Sequence, residues 1–168
     1  IANRAEDSQA LAFQAALLRH VQVVDPALLL PHLRPTLGGG DLGKAGDHFV
    51  RLVSWLPGQL YSGCRRTADL HGSLGESLGR LDRALQSFGH PGAHREFDWD
   101  IKQAGRSRLR LDFLVDPKQR ALVEYFLERF ETKIASKLAR LRAQVIHGDA
   151  NDNNLLVDGP AGERIVGL

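Results

Sequence analysis

Val145-Ile-His-Gly-Asp-Ala-Asn-Asp-Asn-Asn-Leu-Leu-Val157 is the stretch on which the reading of this chain turns. Apolar residues flank a polar loop, with Val145-Ile146 before it and Leu155-Leu156-Val157 after it, and both runs read as short strands. Strands on either side would pin Asp149 and Asn154 within one tight loop. A fixed carboxylate and a fixed amide suit phosphoryl transfer, in which the protein orients a hydroxyl and holds a metal beside the nucleotide phosphates. Asp149 would accept a hydrogen bond from the acceptor hydroxyl and align it for attack. Asn154 would offer its carbonyl oxygen to Mg²⁺, a hard cation that takes oxygen ligands. Gly148 is read as removing bulk beside the carboxylate, and His147 as a scaffold residue bonded to backbone. The competing reading is structural. Asn151, Asp152, Asn153 and Asn154 are turn formers, and an Asx-rich loop between strands also serves as a plain connector.

The triplet His147-Gly148-Asp149, four intervening residues and then Asn154 resemble the catalytic loop of the aminoglycoside and choline kinase-like phosphotransferases. The spelling His-Gly-Asp-Ala-Asn-Asp-x-Asn is most similar to the hydroxylysine kinase-like branch. That branch includes bacterial proteins fused to a class III aminotransferase, so the resemblance implies such a domain as a partner in the parent protein. It also implies a protein kinase-like α+β fold, truncated: a partial N-lobe over residues 1–53, a hinge over 54–63, and a mostly helical C-lobe over 64–168 with the catalytic loop at 145–157. The hinge resemblance is carried by Val50-Arg-Leu-Val-Ser-Trp-Leu-Pro-Gly58. Backbone groups near Ser54, Trp55 and Leu56 are then expected to bind adenine, and Leu156 to form the apolar floor under the base. ATP and Mg²⁺ are the implied cofactors. The implied acceptor is a small-molecule hydroxyl, on an amino alcohol or a hydroxylated amino acid.

The same resemblance calls for a lysine on an N-lobe strand, whose place falls before Ile1. It also calls for a metal-binding aspartate in an Asp-Phe-Gly-like motif, whose place falls after Leu168. Gln14 stands where the lysine's glutamate partner is expected. These 168 residues alone are therefore expected not to turn over ATP. A chain with no methionine, and with an apolar strand pattern still running from Arg164 to Leu168, reads as a piece of a longer protein.

With 43% hydrophobic and 25% charged residues, the composition is that of an ordinary globular domain. A net charge of +2 with interspersed signs points to neither nucleic acid nor membrane surface. No apolar run approaches the ~20 residues of a bilayer span, and the first residues are no signal peptide. Cys64 is the single cysteine, which excludes an intrachain disulfide and leans toward a reducing compartment, the cytoplasm.

Helical periodicity places a first helix from about Glu6 to Val21, with Leu11, Ala15, Leu18 and Val21 as its apolar stripe and Arg19 and His20 near its end. Pro26 and Pro31 bar its continuation. Leu33–Leu37 and Phe49–Trp55 read as a hairpin joined by a glycine-rich connection. Leu70, Leu74, Leu78, Leu81, Leu85 and Phe88 step by threes and fours, the mark of an amphipathic helix with a buried stripe. Asp116-Pro117 starts another helix, with Leu122, Phe126, Phe130, Ile134, Leu138 and Leu141 as its apolar face. Phe97 and Trp99 are expected to anchor packing, as is Trp55.

Other motifs have plainer readings. Gly38 to Lys44 nearly spells a P-loop, but Ala45 replaces the metal-binding hydroxyl and a strand follows where a helix is needed. His90 and His94 flank Pro91-Gly92 and lack a third ligand. Arg106, Arg108 and Arg110, alternating with Leu109 and Leu111, suggest a half-exposed extended segment. Two further functional readings stay open: a non-catalytic kinase-like module that binds nucleotide or a metabolite, and a helical interaction domain whose polar loop is only a turn.

Overall fold

Asp7 opens the first helix, its side chain accepting from the Gln9 backbone N–H at 3.0 Å. The computed structural model describes residues 1–2, 7–159 and 162–168. Glu6, expected near this helix start, lies outside the described residues. Helix α1 (Ser8–Val24) buries Ala10, Leu11, Ala15 and Val21. It ends at Val24, about one turn beyond the expected Val21, with Asp25 as its C-cap, so its last turn holds no basic residue.

Contacts divide the chain into two compact units, Ile1–Ala93 with Gln144–Leu168, and His94–Ala143. In the first unit, the expected single hairpin is two nested ones. Strand β1 (Leu33–Arg34) pairs antiparallel with β4 (Leu52–Val53), and β2 (Gly43–Ala45) pairs with β3 (His48–Val50) inside them. The glycine-rich connection thus contributes a strand of its own, and the run read as Phe49–Trp55 breaks at Arg51. Gly46, at φ 59°, makes the tight β2–β3 turn, a conformation that favours glycine. Asp41 of the connection is held to α1 by Arg19. Lys44 lies in β2 with its ammonium over the Phe49 ring, and no helix follows, so the near-P-loop spelling builds no phosphate cradle.

Strand β5 (Gln59–Leu60) joins β6 (Leu156–Val157), which also pairs with β7 (Ile165–Gly167), all antiparallel. Between β5 and the next helix runs a 3₁₀ turn, Tyr61–Gly63. Helix α2 (Ala68–Ala84) is capped by Thr67, whose hydroxyl accepts from the Leu70 N–H, and carries Asp69 in its first turn and Arg83 in its last. Its apolar stripe turns inward as expected, with Leu70, Leu81 and Leu85 buried and Leu74, Leu78 and Phe88 half-buried.

Two apolar cores result. One gathers Val21, Leu28, Leu30, Leu81, Ala84 and Leu85. The other gathers Tyr61, Leu70, Leu155, Val157 and Ile165. Beside the first, Arg80 grips Asp25 through Nε at 3.0 Å and Nη2 at 2.7 Å. Those hydrogen bonds hold the Asp25 carboxyl below the usual carboxylate range. Because the folded pKa is the lower one, the pair stabilises the fold above the unfolded value and that gain fades as pH falls through the folded value. The pair is partly solvated, so its worth is about 1 kcal/mol or less. Asp25→Asn should lower the thermal midpoint at pH 7, and the gap to wild type should close below about pH 4 in melts across a pH series.

In the second unit, Ile101–Phe113 form a 3₁₀ helix capped by Asp100, followed by α3 (Pro117–Lys133) and the short α4 (Ala135–Leu138). Asp116 caps α3 through the Lys118 N–H and Pro117 opens its first turn, as the sequence indicates. The expected apolar face holds only in part, at Phe130 and Leu138, which are half-buried. Leu122 and Phe126 are 58% and 59% exposed, Ile134 is the cap between two helices, and Leu141 lies beyond them. The face turned inward carries Val123, Leu127 and Phe130, because α3 packs on the 3₁₀ helix. That helix also replaces the extended segment expected around Arg106. Each of its arginines meets a carboxylate within the unit: Arg106 with Glu96, Arg108 with Glu131, and Arg110 with Asp98. Phe97 and Trp99 are exposed rather than packed.

Candidate active site

The loop is anchored by packing at one end and by pairing at the other. Residues Gln144–Ala150 form no strand, contrary to the reading of Val145-Ile146. Val145 instead packs its side chain on the first core, and Gln144 donates to the Asp82 carbonyl at 2.8 Å. After the loop, Leu155 is buried in the second core and Leu156–Val157 enter the sheet. Ala150, within the loop, packs on that second core.

Gly148 adopts φ 75°. Nothing lies within 4 Å of where its Cβ would stand, so backbone conformation, and not bulk, calls for glycine there. His147 Nδ1 accepts from the Asp149 N–H at 3.3 Å, the backbone-directed scaffold contact anticipated for it.

Asp149 and Asn154 come together directly. Asn154 Nδ2 donates to Asp149 Oδ2 at 2.9 Å and to the Asp149 carbonyl at 2.8 Å. Asn151 Nδ2 donates to Asp149 Oδ1 at 2.8 Å, while its own Oδ1 accepts from the Asn153 N–H. Both carboxylate oxygens are thus oriented by neutral amides, and among the described residues no cation pairs with Asp149. Asn154 spends its NH₂ on Asp149, which leaves Oδ1 without a partner among the described residues. That oxygen fits one ligand position of a hard cation. Among the described residues no cluster of three His, Cys, Asp or Glu is arranged to hold a metal, so further oxygen ligands have to come from elsewhere. Both side chains are exposed. A groove of about 450 Å³ lined by Asp25, Glu76, Arg80 and Arg83, and a cavity of about 230 Å³ beside Gln14 and Arg51, do not include them.

Gly58 and Leu56, in the segment expected as a hinge, lie against β6 and β7. Gly58, at φ 144°, passes so close that a Cβ would meet the Val157 carbonyl at 3.0 Å. A Cβ on Gly167 would meet both Leu56 and Leu156 at 3.1 Å, so these two leucines share one apolar patch over β7. Leu156 follows Asn154 by two residues, which sets the patch within about 7 Å of the polar pair along the chain. Ser54 is tied to His32, donating its N–H at 2.8 Å and accepting at Oγ from the His32 N–H at 2.9 Å. The peptide N–H groups of Trp55 and Leu56 have no partner among the described residues. Trp55 is 90% exposed, so it is a surface residue rather than part of a core.

Two contributors escaped the sequence reading. Asn151 passed as a turn former, although an Asx residue two positions from a carboxylate can reach it. Arg66 carried no local signal, because its partner Asp152 is remote in sequence.

These features set a polar loop with an amide-held carboxylate beside an apolar patch. The whole chain, residues 1–168, matches the sequence model of the phosphotransferase enzyme family (APH), and the chain belongs to that family. It is similar to hydroxylysine kinase of Mus musculus, at 31% identity over 116 residues covering 67% of this chain and 31% of that protein. Hydroxylysine kinases of Bos taurus, 31% identical over 66% of this chain and 31% of the relative, and Danio rerio, 26% identical over 72% and 36%, are also similar. The chain spans about a third of the length of these curated relatives. Among the described residues no helix is long and apolar enough to cross a membrane.

Proposed function

We propose that the complete protein transfers the γ-phosphoryl group of ATP to a hydroxyl of an amino alcohol or hydroxylated amino acid. The observation that carries this reading is the Asp149–Asn154 pair. Its carboxylate is held at both oxygens by amides, is open to solvent, and is left unneutralised by any cation of the described residues. Asp149 accepts the acceptor hydroxyl's proton as a hydrogen bond and aligns its oxygen in line with the phosphoryl group. Asn154 Oδ1 holds Mg²⁺, which when bound neutralises charge on the phosphate oxygens. Leu56 and Leu156 receive the base, and the free N–H groups at Trp55 and Leu56 supply hydrogen bonds at its edge. In this reading residues 1–53, 54–63 and 64–168 are partial N-lobe, hinge and C-lobe, and the protein works in the cytoplasm.

The test is transfer of label from [γ-³²P]ATP by the complete protein to a panel of hydroxylated amino acids and amino alcohols, with and without Mg²⁺. Phosphorylated product that requires Mg²⁺ is expected. Absence of product with every acceptor, together with no heat of Mg-ATP binding in calorimetry, would reject the reading.

A second reading, a nucleotide- or metabolite-binding module that regulates a fused aminotransferase, rests on Gln14. Its Oε1 accepts from Arg51 Nη1 at 2.8 Å, and as a neutral amide it cannot form the expected ion pair with a lysine. Mg-ATP binding without product would favour this alternative.

A further inference from the structure

Asp152 sits in the loop between Asp149 and Asn154. Its carboxylate pairs with Arg66, which follows the 3₁₀ turn after β5. The Arg66 guanidinium also lies over the Tyr61 ring, 5.5 Å from its centroid. Tyr61 is buried in the second core and donates its N–H to the Leu155 carbonyl at 3.0 Å. Ser62, next to it, donates its N–H to the Asp152 carbonyl at 3.0 Å. Main chain and side chain of Asp152 are therefore both tied to the same short segment, Tyr61–Arg66.

We infer that Arg66 is a positioning residue for phosphoryl transfer, acting through Asp152 to fix the loop that carries Asp149. The inference rests on the kinase reading above for its catalytic consequence. The side chains of Arg66 and Asp152 are 55% and 46% exposed, and ion pairs so solvated add little to stability. What the pair supplies is geometry. Asn151 holds Asp149 Oδ1 and is the immediate neighbour of Asp152, and the Asn154 N–H closes the turn on the Asn151 carbonyl at 3.0 Å. A shift at Asp152 thus passes to both sides of the Asp149 carboxylate. The guanidinium stands over Tyr61 while its Nη2 meets the Asp152 carboxylate, and a lysine ammonium keeps the charge without the planar donor edge.

Two measurements test this. In the complete protein, Arg66→Gln should lower kcat about tenfold to a hundredfold, the scale of a misplacement near 1 Å. KM for ATP and the thermal midpoint should stay near wild type. Arg66→Lys should recover part of kcat, and the exchanged pair Arg66→Asp with Asp152→Arg should recover more than either single variant. Independently of activity, amide hydrogen exchange on the 168-residue chain should be faster at Ser62 and Asn154 in Arg66→Gln. Unchanged exchange at those amides overturns the inference, as does an unchanged kcat. So does a kcat loss that merely follows a lowered thermal midpoint without rescue by lysine. If wild-type protein lacks phosphotransfer, the kinase reading falls, and the exchange measurement still decides whether Arg66 fixes the loop.

Discussion

Replacing Asp149 by asparagine should lower kcat of the complete protein about 10²- to 10⁴-fold, the usual range for a positioned acid–base group. Two effects act together. The carboxamide cannot take the hydroxyl proton, and it disturbs the loop's hydrogen bonds. Asn151 Nδ2 and Asn154 Nδ2 both donate to the Asp149 side chain, one to each oxygen. An asparagine offers a single oxygen and one NH₂, so one donor would face another donor and a bond must be given up. The cost of that mismatch is about 1–3 kcal/mol if the site is closed to water, and less at this exposed position. Nucleotide affinity should change little, since the carboxylate lies on the acceptor side of the reaction. Steady-state kinetics with calorimetric ATP titration separate the two parameters, and activity retained in the variant would remove Asp149 from its assigned role.

Leu70→Ala should be the most damaging single truncation for stability. Leu70 is 0% exposed and packs with Tyr61, Leu155, Val157 and Ile165. Truncation of such a leucine costs about 2–5 kcal/mol through lost burial and the cavity left behind. For a chain of this size that corresponds to a fall in thermal midpoint of about 4–20 °C. The same cluster holds Leu155, the residue directly after Asn154, so the variant should also loosen the exit of the loop and lower kcat. Leu109→Ala, at a residue 85% exposed, serves as the control and should shift stability by about 0.5 kcal/mol or less. Paired thermal melts of the two variants make the comparison.

Helix α2 was legible because its signal is strong and local: six apolar residues at helical spacing, in a stripe that the fold buries. Helix α3 was legible as a helix, with its Asp116-Pro117 start, but its buried face was misassigned. Two overlapping apolar stripes run along it, and periodicity cannot choose between them. The neighbouring 3₁₀ helix chose Leu127 over Leu122 and Phe126. Trp55 and Trp99 show the same limit from the other side. Aromatic character predicts burial on average, yet the two are 90% and 93% exposed. At the candidate site, Asp149 and Asn154 stood out through the His147-Gly148-Asp149 triplet and the resemblance it carries, and the structure brings their side chains into contact. The strand before the loop did not form, because Val145 gains burial on a core without needing a pairing partner.

Sequence alone specified the features set by neighbours within a turn or two of chain: the Asp116-Pro117 helix start, the amphipathic stripe of α2, and the order of polar groups from Asp149 to Asn154. Tertiary structure decided what joins segments far apart. It brought Leu56 beside Leu156, Arg66 beside Asp152, and Val145 onto a core built by α1 and α2. The physical reason is range. Backbone conformation and side-chain capping are local energies that a short window reveals, whereas burial and ion pairing depend on which surfaces the folded chain finally lays against each other.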